Sequence, residues 1–284
     1  MPSPVNGRKV VDLDGGIPED CAQIQPTRPR MFRLLTFNIQ NGQPWDASDP
    51  DNPRVDIDGV GRFLVAQKAD IICLQEVERG YDGGRQIEPP PHYKRLQDIL
   101  SGYDSVFAYP KKNHLEIPFG IGLAIFSKTP LREFERLDLP AAPIEFEFGG
   151  KKRHASSRLL IGATTEIAGS RLRILNTHLQ AFFMIGALSD AYPEQRNLVE
   201  AELRKQAGPA ILAGDMNAAP EESLAEQFER AGFSTVQKTE PTWKRRPYVV
   251  DHIFRNSGLR LVSHQILPTL TSDHDAIAAD FEFV

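Results

Sequence analysis

Cysteine is nearly missing. Two of the 284 residues, Cys21 and Cys73, are too few to build a disulfide framework, and Cys73 lies inside the apolar run Ile71-Ile72-Cys73-Leu74. A buried thiol and a reducing, cytoplasmic setting are the expectation. No stretch of about 18 apolar residues occurs, so no transmembrane helix is expected. The opening MPSPVNGRKVVDLDGG carries basic residues but no apolar core, so no secretory signal is expected either. An excess of basic charge is absent too: Lys and Arg number 33 against 38 Asp and Glu, a net charge of −5. Tight binding of nucleic acid by bulk charge is therefore disfavoured, although a cation held in an acidic cleft can supply the missing positive charge. The patterns G-x-S-x-G, C-x-x-C, H-E-x-x-H and G-x-x-x-x-G-K-[ST] do not occur, which sets aside serine-elbow, zinc and P-loop chemistry.

What is present is the composition of a globular chain. Charged residues make up 25% and hydrophobic residues 40%, enough to bury a substantial core. Residues 1–30 are rich in Pro, Gly and Asp and show no period. We expect an extended N-terminal segment there, either disordered or outside the native protein, with Met31 as the natural start. Residues 31–284 then form a single domain. Apolar runs at 33–39, 69–77 and 209–217 read as buried strands. The spacing at 59–68, 93–100 and 193–208 predicts helices, the last with Pro193 in its first turn and Gly208 at its end. Gly149-Gly150 marks a hairpin, and a second hairpin turns at 168–170. Hairpins with a few interspersed helices predict an α/β fold of two packed sheets with helices outside.

The apolar runs share one feature: each stops at a polar group. Asn38 follows RLLTF, Glu76 follows IICLQ and His178 follows RILNT. Asp215 and Asn217 follow ILAG, Asp251 follows YVV, and Asp273-His274 precede DAIAADF. Singly, an Asn or Asp at a strand end is a turn former, and a lone His is an ordinary core or surface residue. Together, strand ends of one sandwich can converge on one rim. Asp215 and Asn217, two apart in an extended strand, would face the same side, with Met216 turned away. Carboxylates gathered so closely repel, and a hard divalent cation with oxygen ligands relieves that cost.

These segments also carry a family resemblance. FNIQNG, LQEV, NTHLQ, GDMN, VDHIF and SDHDAI stand in the order found in the endonuclease/exonuclease/phosphatase superfamily, over about residues 32–284. The resemblance implies a four-layered α/β sandwich of two mainly antiparallel sheets, and a phosphoester hydrolase, a phosphodiesterase in particular, that uses Mg²⁺ or Mn²⁺. Carried over residue by residue, Glu76, Asn38 and Asp273 resemble the metal-side groups. Asp215 resembles the acid that orients or deprotonates water. Asn217 resembles the amide on a phosphate oxygen, and His274 the imidazole at the scissile phosphate, oriented by Asp251. His178 is similar to the second histidine of the deoxyribonuclease and sphingomyelinase branches. Three positions depart from the family pattern: Gln40 stands where many members have an acid, Val249 where many have Arg, and Asp275-Ala276 where Pro is common.

The substrate stays open between nucleic acid and a phospholipid or sphingolipid head group. AFFMIGAL, after His178, would either line the site rim beside a hydrophobic group or fold into the core. Lys151, Lys152 and Arg153 sit at a hairpin turn, where phosphate contact and simple solvation are both open readings. The alternative to an enzyme is a non-catalytic, metal-binding interaction module that keeps the same cleft. No stable protein partner is expected, and the chain is expected to be a monomer.

Overall fold

The structure is a computed structural model that describes residues 31–51, 54–78, 86–113, 115–116 and 121–284. The expected N-terminal segment, residues 1–30, lies outside the described residues. In chain order the strands are β1 (Met31–Asn38), β2 (Ile71–Gln75), β3 (Asp104–Ala108), β4 (Leu123–Ser127), β5 (Arg132–Leu139), β6 (Glu145–Phe148) and β7 (Lys151–His154). They continue as β8 (Arg158–Ile167), β9 (Ser170–His178), β10 (Ala210–Asp215), β11 (Ser234–Thr235), β12 (Asp251–Arg255), β13 (Leu259–Leu267) and β14 (Ala276–Phe283). Four α-helices, α1 (Ile57–Gln67), α2 (Pro91–Ile99), α3 (Glu194–Leu203) and α4 (Leu224–Arg230), and two 3-10 turns, Gln40–Gly42 and Phe182–Ile185, complete the described elements.

Two six-stranded sheets have the orders β13-β14-β1-β2-β4-β3 and β11-β12-β10-β9-β8-β5. Each contains a single parallel pair, β1 with β2 and β10 with β9, and is otherwise antiparallel. The four-layered α/β sandwich is therefore observed. Its layers explain why the central runs do not alternate. Leu34, Ile71, Cys73 and Ile125 point inward to meet Ile161, Ile174, Ile211 and Ile253 of the facing sheet. Their neighbours Leu35, Phe37, Ile72, Leu74 and Phe126 point outward under α1 and α2. Leu175, Leu212 and Phe254 do the same under α3 and α4. A strand buried on both faces reads as continuously apolar. Burial in the inter-sheet layer also pushes the Cys73 thiol far above its usual range, so it is inert packing.

The structure corrects several boundaries. α3 stops at Leu203, five residues before Gly208. Tyr248–Val250 are not strand; Asp251 opens β12 rather than ending a run. β13 was not foreseen, because it is an edge strand whose middle is exposed and carries no period. None of the described helices is long and apolar enough to cross a membrane.

One buried carboxylate belongs to the scaffold. Glu78 is fully buried and accepts the Tyr93 N–H at 2.8 Å, capping the first turn of α2, whose N-cap is a proline. Burial lifts its carboxyl to about 7, against the opposing hydrogen bonds from Tyr93 and His92. A raised carboxyl means that the fold disfavours the anion. Stability is thus lost as pH climbs from the unfolded value near ~4.3 to the folded one. Glu78→Gln removes that dependence. The Tm difference, variant minus wild type, should grow by about 2–4 °C between pH 5 and pH 8, corresponding to ~1 kcal/mol after allowance for screening. A difference that stays flat across that range would contradict this assignment.

Candidate active site

Topology brings the polar ends together. In the second sheet, Asp215 at the end of β10 pairs with His178 at the end of the parallel β9, and with Asp251 at the start of the antiparallel β12. In the first sheet, Asn38 ends β1 opposite Gln75, with Glu76 one residue on. Asp273 and His274 lie in the approach to β14. The Asn38 amide spans the two sheets, donating to Asp215 Oδ2 at 2.9 Å and to Glu76 Oε1 at 3.3 Å. Beneath it Gln75 donates to Asn176 Oδ1 at 2.8 Å, and Asn176 donates to the carbonyls of Leu74 and Ala124, each at 3.0 Å. This buried polar layer fixes the spacing of the sheets directly under the carboxylates.

The Asp215 region differs from the extended-strand expectation. β10 ends at Asp215, and Asn217 has φ 47°, so the pair does not share a strand face. Asn217 reaches the cleft because its backbone N–H donates to Asp215 Oδ1 at 3.0 Å, while its amide donates to the Leu179 carbonyl at 3.1 Å. Met216 does point away, into the packing beneath α3 and α4. Gly214 permits the close approach: at φ 145° a Cβ there would lie 2.0 Å from the Thr177 carbonyl.

The cleft holds about 620 Å³, and Glu76, His178, Asp215, Asn217, Asp273 and His274 all line it. His274 Nδ1 lies 2.8 Å from Asp251 Oδ2, which leaves Nε2 3.8 Å from Asp215 Oδ2 and from Asp273 Oδ1. Burial opposes charge on His274, but the attraction and hydrogen bond of Asp251, joined by Asp215 and Asp273, outweigh it and lift the imidazole to about 10. It is a cation at neutral pH. His178 is the opposite case: burial, helped by Arg158 and His274, drives it well below its ordinary value, so it is neutral. Its Nε2 lies 3.6 Å from Asp215 Oδ2 and 3.9 Å from Glu76 Oε1. Burial, then Asp251, lifts Asp215 to about 7 against the pull of His274 and Asn38. Burial, then Asp273, raises Glu76 as well.

Such a set fits a hard divalent cation. The carboxylates of Glu76, Asp215 and Asp273 line the cleft and Asp251 lies behind His274, and the raised Glu76 and Asp215 carboxyls show the cost of burying and gathering them. Asp215, Asp251 and His274 offer ligand atoms within 4.8 Å of one another and form a buried group able to hold a metal. His274 Nδ1 and Asp251 Oδ2 already engage each other, leaving Asp251 Oδ1 without a hydrogen-bond partner among the described residues, and a protonated imidazole is a poor ligand. Glu76 and Asp273 are the better oxygen donors. Asn38 turns its nitrogen, not its oxygen, toward Glu76 and Asp215, and its Oδ1 accepts the Gln40 N–H at 3.0 Å. That nitrogen bridges the two carboxylates. Gln40, in the departing position, accepts the Asp273 N–H at 3.0 Å through Oε1.

Several site residues escaped sequence reasoning. Arg158 opens β8, which runs antiparallel to β9, so its first residue reaches the same rim as the last residue of β9. Trp243 Nε1 donates to Asp273 Oδ2 at 3.2 Å, and Arg245 Nε donates to the same oxygen at 2.7 Å. Phe183 and Met184 line the cleft, whereas Phe182 folds into a small core, so the AFFMIGAL segment divides between its two readings. Lys151 and Lys152 lie exposed in β7, outside the cleft lining.

The Endonuclease/Exonuclease/phosphatase family model matches residues 35–274, and the chain belongs to that family. The fold is shared with solved structures of low identity. An endonuclease/exonuclease/phosphatase family protein from Bacteroides thetaiotaomicron is 17% identical, with 91% of this chain and 100% of that one covered at TM-score 0.68. A mannosyl-6-phosphatase from Bacteroides thetaiotaomicron VPI-5482 is 16% identical, with 89% and 100% covered at TM-score 0.65. The human Nocturnin catalytic domain with bound sulfate anion is 22% identical, with 90% and 96% covered at TM-score 0.62. No curated protein matches the chain significantly in sequence.

Proposed function

We propose that the protein is a divalent-metal-dependent phosphoester hydrolase whose preferred substrates are phosphodiesters. The observation that carries this reading is the pairing, in one cleft, of a cationic His274 anchored on Asp251 with a buried Asp215 3.8 Å from its free nitrogen. Asp215 is placed to take the proton of an attacking water, helped by a carboxyl that has become a stronger base. His274 donates its Nε2 proton to a phosphoryl oxygen as charge builds there. Neutral His178 and the second N–H of the Asn217 amide are further donors to that group. A bound Mg²⁺ or Mn²⁺, held by Glu76 and Asp273, would supply Lewis acidity and stabilise the leaving oxygen. The membership of the family and the phosphatase among the structural neighbours support this chemistry.

The organic part of the substrate lies against an apolar wall that includes Phe146, Phe183, Met184 and Trp243. Both a nucleic acid and a lipid head group bring apolar surface to such a wall. The test is a panel of plasmid DNA, RNA, sphingomyelin micelles, bis-p-nitrophenyl phosphate and p-nitrophenyl phosphate, with Mg²⁺, with Mn²⁺ and with EDTA. At least one diester should be cleaved faster than the monoester, and only with metal. Exclusive cleavage of the monoester would sink the diester preference, and no turnover of any ester would favour the non-catalytic module.

A further inference from the structure

Three consecutive residues in the turn that follows β1 are left-handed. Gln40 has φ 45°, Asn41 φ 56° and Gly42 φ 78°. Glycine adopts this region freely, and among residues that carry a Cβ, Asn tolerates it best. Glu76, which follows β2, is left-handed as well, at φ 50°. Backbone strain of this kind persists only where surrounding contacts hold it, and it gathers at working sites. The contacts here are specific. Gln40 Oε1 accepts the Asp273 N–H at 3.0 Å, and the Asn41 N–H donates to the Glu76 carbonyl at 2.8 Å. One dipeptide thus grips both residues whose carboxylates are the better oxygen donors for a cation.

Asn41 is the member of this turn with an unused group. It lines the catalytic cleft, and its Nδ2 donates to Glu76 Oε2 at a long 3.4 Å. Its Oδ1 is buried and has no hydrogen-bond partner among the described residues. A buried amide oxygen without a donor is costly. Turn chemistry does not account for it. An Asn that forms a turn spends its Oδ1 on the backbone N–H two residues on, as Asn38 does with Gln40 at 3.0 Å. A hard cation beside Glu76 would satisfy the oxygen, since amide oxygens are ordinary ligands of such ions. Gln40, where many family members have an acid, turns its own oxygen to the Asp273 backbone instead. We propose that Asn41 Oδ1 is a neutral oxygen ligand of the divalent cation held by Glu76, supplied by the residue next to the altered position. This inference rests on the reading that Glu76 holds a cation, while the binding itself requires no turnover.

The experiment titrates Mn²⁺ into the metal-free full chain and follows the electron paramagnetic resonance of the free ion, for wild type and Asn41→Gly. Glycine accepts φ 56° without strain, so the variant removes the side chain and spares the backbone. Mn²⁺ should bind Asn41→Gly at least ~10-fold more weakly than wild type. The Tm of metal-free Asn41→Gly should match or exceed that of wild type, because an orphaned oxygen has been removed. Asn41→Cys tests direct contact. A thiolate at a ligand position takes the softer Cd²⁺, so this variant should show a thiolate–Cd²⁺ charge-transfer absorbance on titration with Cd²⁺. The wild type, with its own two cysteines, sets the background. Unchanged Mn²⁺ affinity in Asn41→Gly overturns the proposal. So does an Asn41→Cys variant whose Cd²⁺ spectrum equals that of wild type, the mark of a residue that only shapes the turn. Asn41→Cys preserves the test should the Gly variant fail to fold. A wild type that binds no Mn²⁺ overturns this assignment together with the metal-dependent reading. If Mn²⁺ affinity depends on Asn41 yet no ester is turned over, the ligand role stands and the hydrolase reading falls.

Discussion

Asp215→Asn should lower kcat by at least ~10²-fold on any ester the wild type cleaves, without loss of fold. The carboxylate sits at the end of β10 with Oδ2 held by Asn38 and Oδ1 held by the Asn217 N–H. An amide keeps the side chain's shape and one of these two bonds, but it cannot take a proton from water. The stability effect has the opposite sign to the activity effect. Burial and the neighbouring Asp251 make the Asp215 anion costly, and replacing it removes that cost in the metal-free protein. The Tm of metal-free Asp215→Asn should therefore match or exceed that of wild type at pH 8. Turnover within a few-fold of wild type would remove Asp215 from the mechanism.

Asp251→Asn should produce a comparable loss of ~10²-fold or more, with a distinctive pH signature. In the wild type, burial works against the charge of His274 and Asp251 is the largest force restoring it. With an amide in that place, burial prevails and the imidazole drops toward or below its ordinary value. Wild-type His274 remains a proton donor up to about 10. The variant loses its donor as pH rises through neutrality, so its rate relative to wild type should climb as pH is lowered from 9 to 6. A ratio independent of pH would show that the Asp251–His274 pair does not act through protonation. Because burial and Asp251 both raise the Asp215 carboxyl, the acid limb should lie at lower pH in Asp251→Asn than in wild type.

Both predictions concern residues that the sequence displays openly, and the reason is topological. A strand buried on both faces is mostly apolar, so a charged or amide group closing RLLTF, IICLQ or ILAG stands out. Two parallel pairs then carry Asn38, His178 and Asp215 to one rim. Less was legible where the chain runs the other way. Arg158 begins its strand, and only the antiparallel pairing with β9 shows that a strand start and a strand end share a rim. Gln75 and Asn176 lie inside LQEV and NTHLQ, but their inter-sheet contact joins positions 101 residues apart that no local pattern connects. Asn217 was expected in the cleft by strand alternation and arrives there by a left-handed turn instead. Edge strand β13, exposed through its middle, carries no burial signal to read.

The central claim is that this cleft hydrolyses phosphoesters with a metal held by carboxylates. Measurement of turnover against Mg²⁺ concentration, for EDTA-treated wild type and Glu76→Gln, tests it most directly. The account predicts that chelation abolishes turnover, that added Mg²⁺ restores it, and that Glu76→Gln shifts the half-saturating Mg²⁺ concentration upward by at least ~10-fold. Turnover that survives chelation, or an unchanged Mg²⁺ requirement in Glu76→Gln, would contradict it.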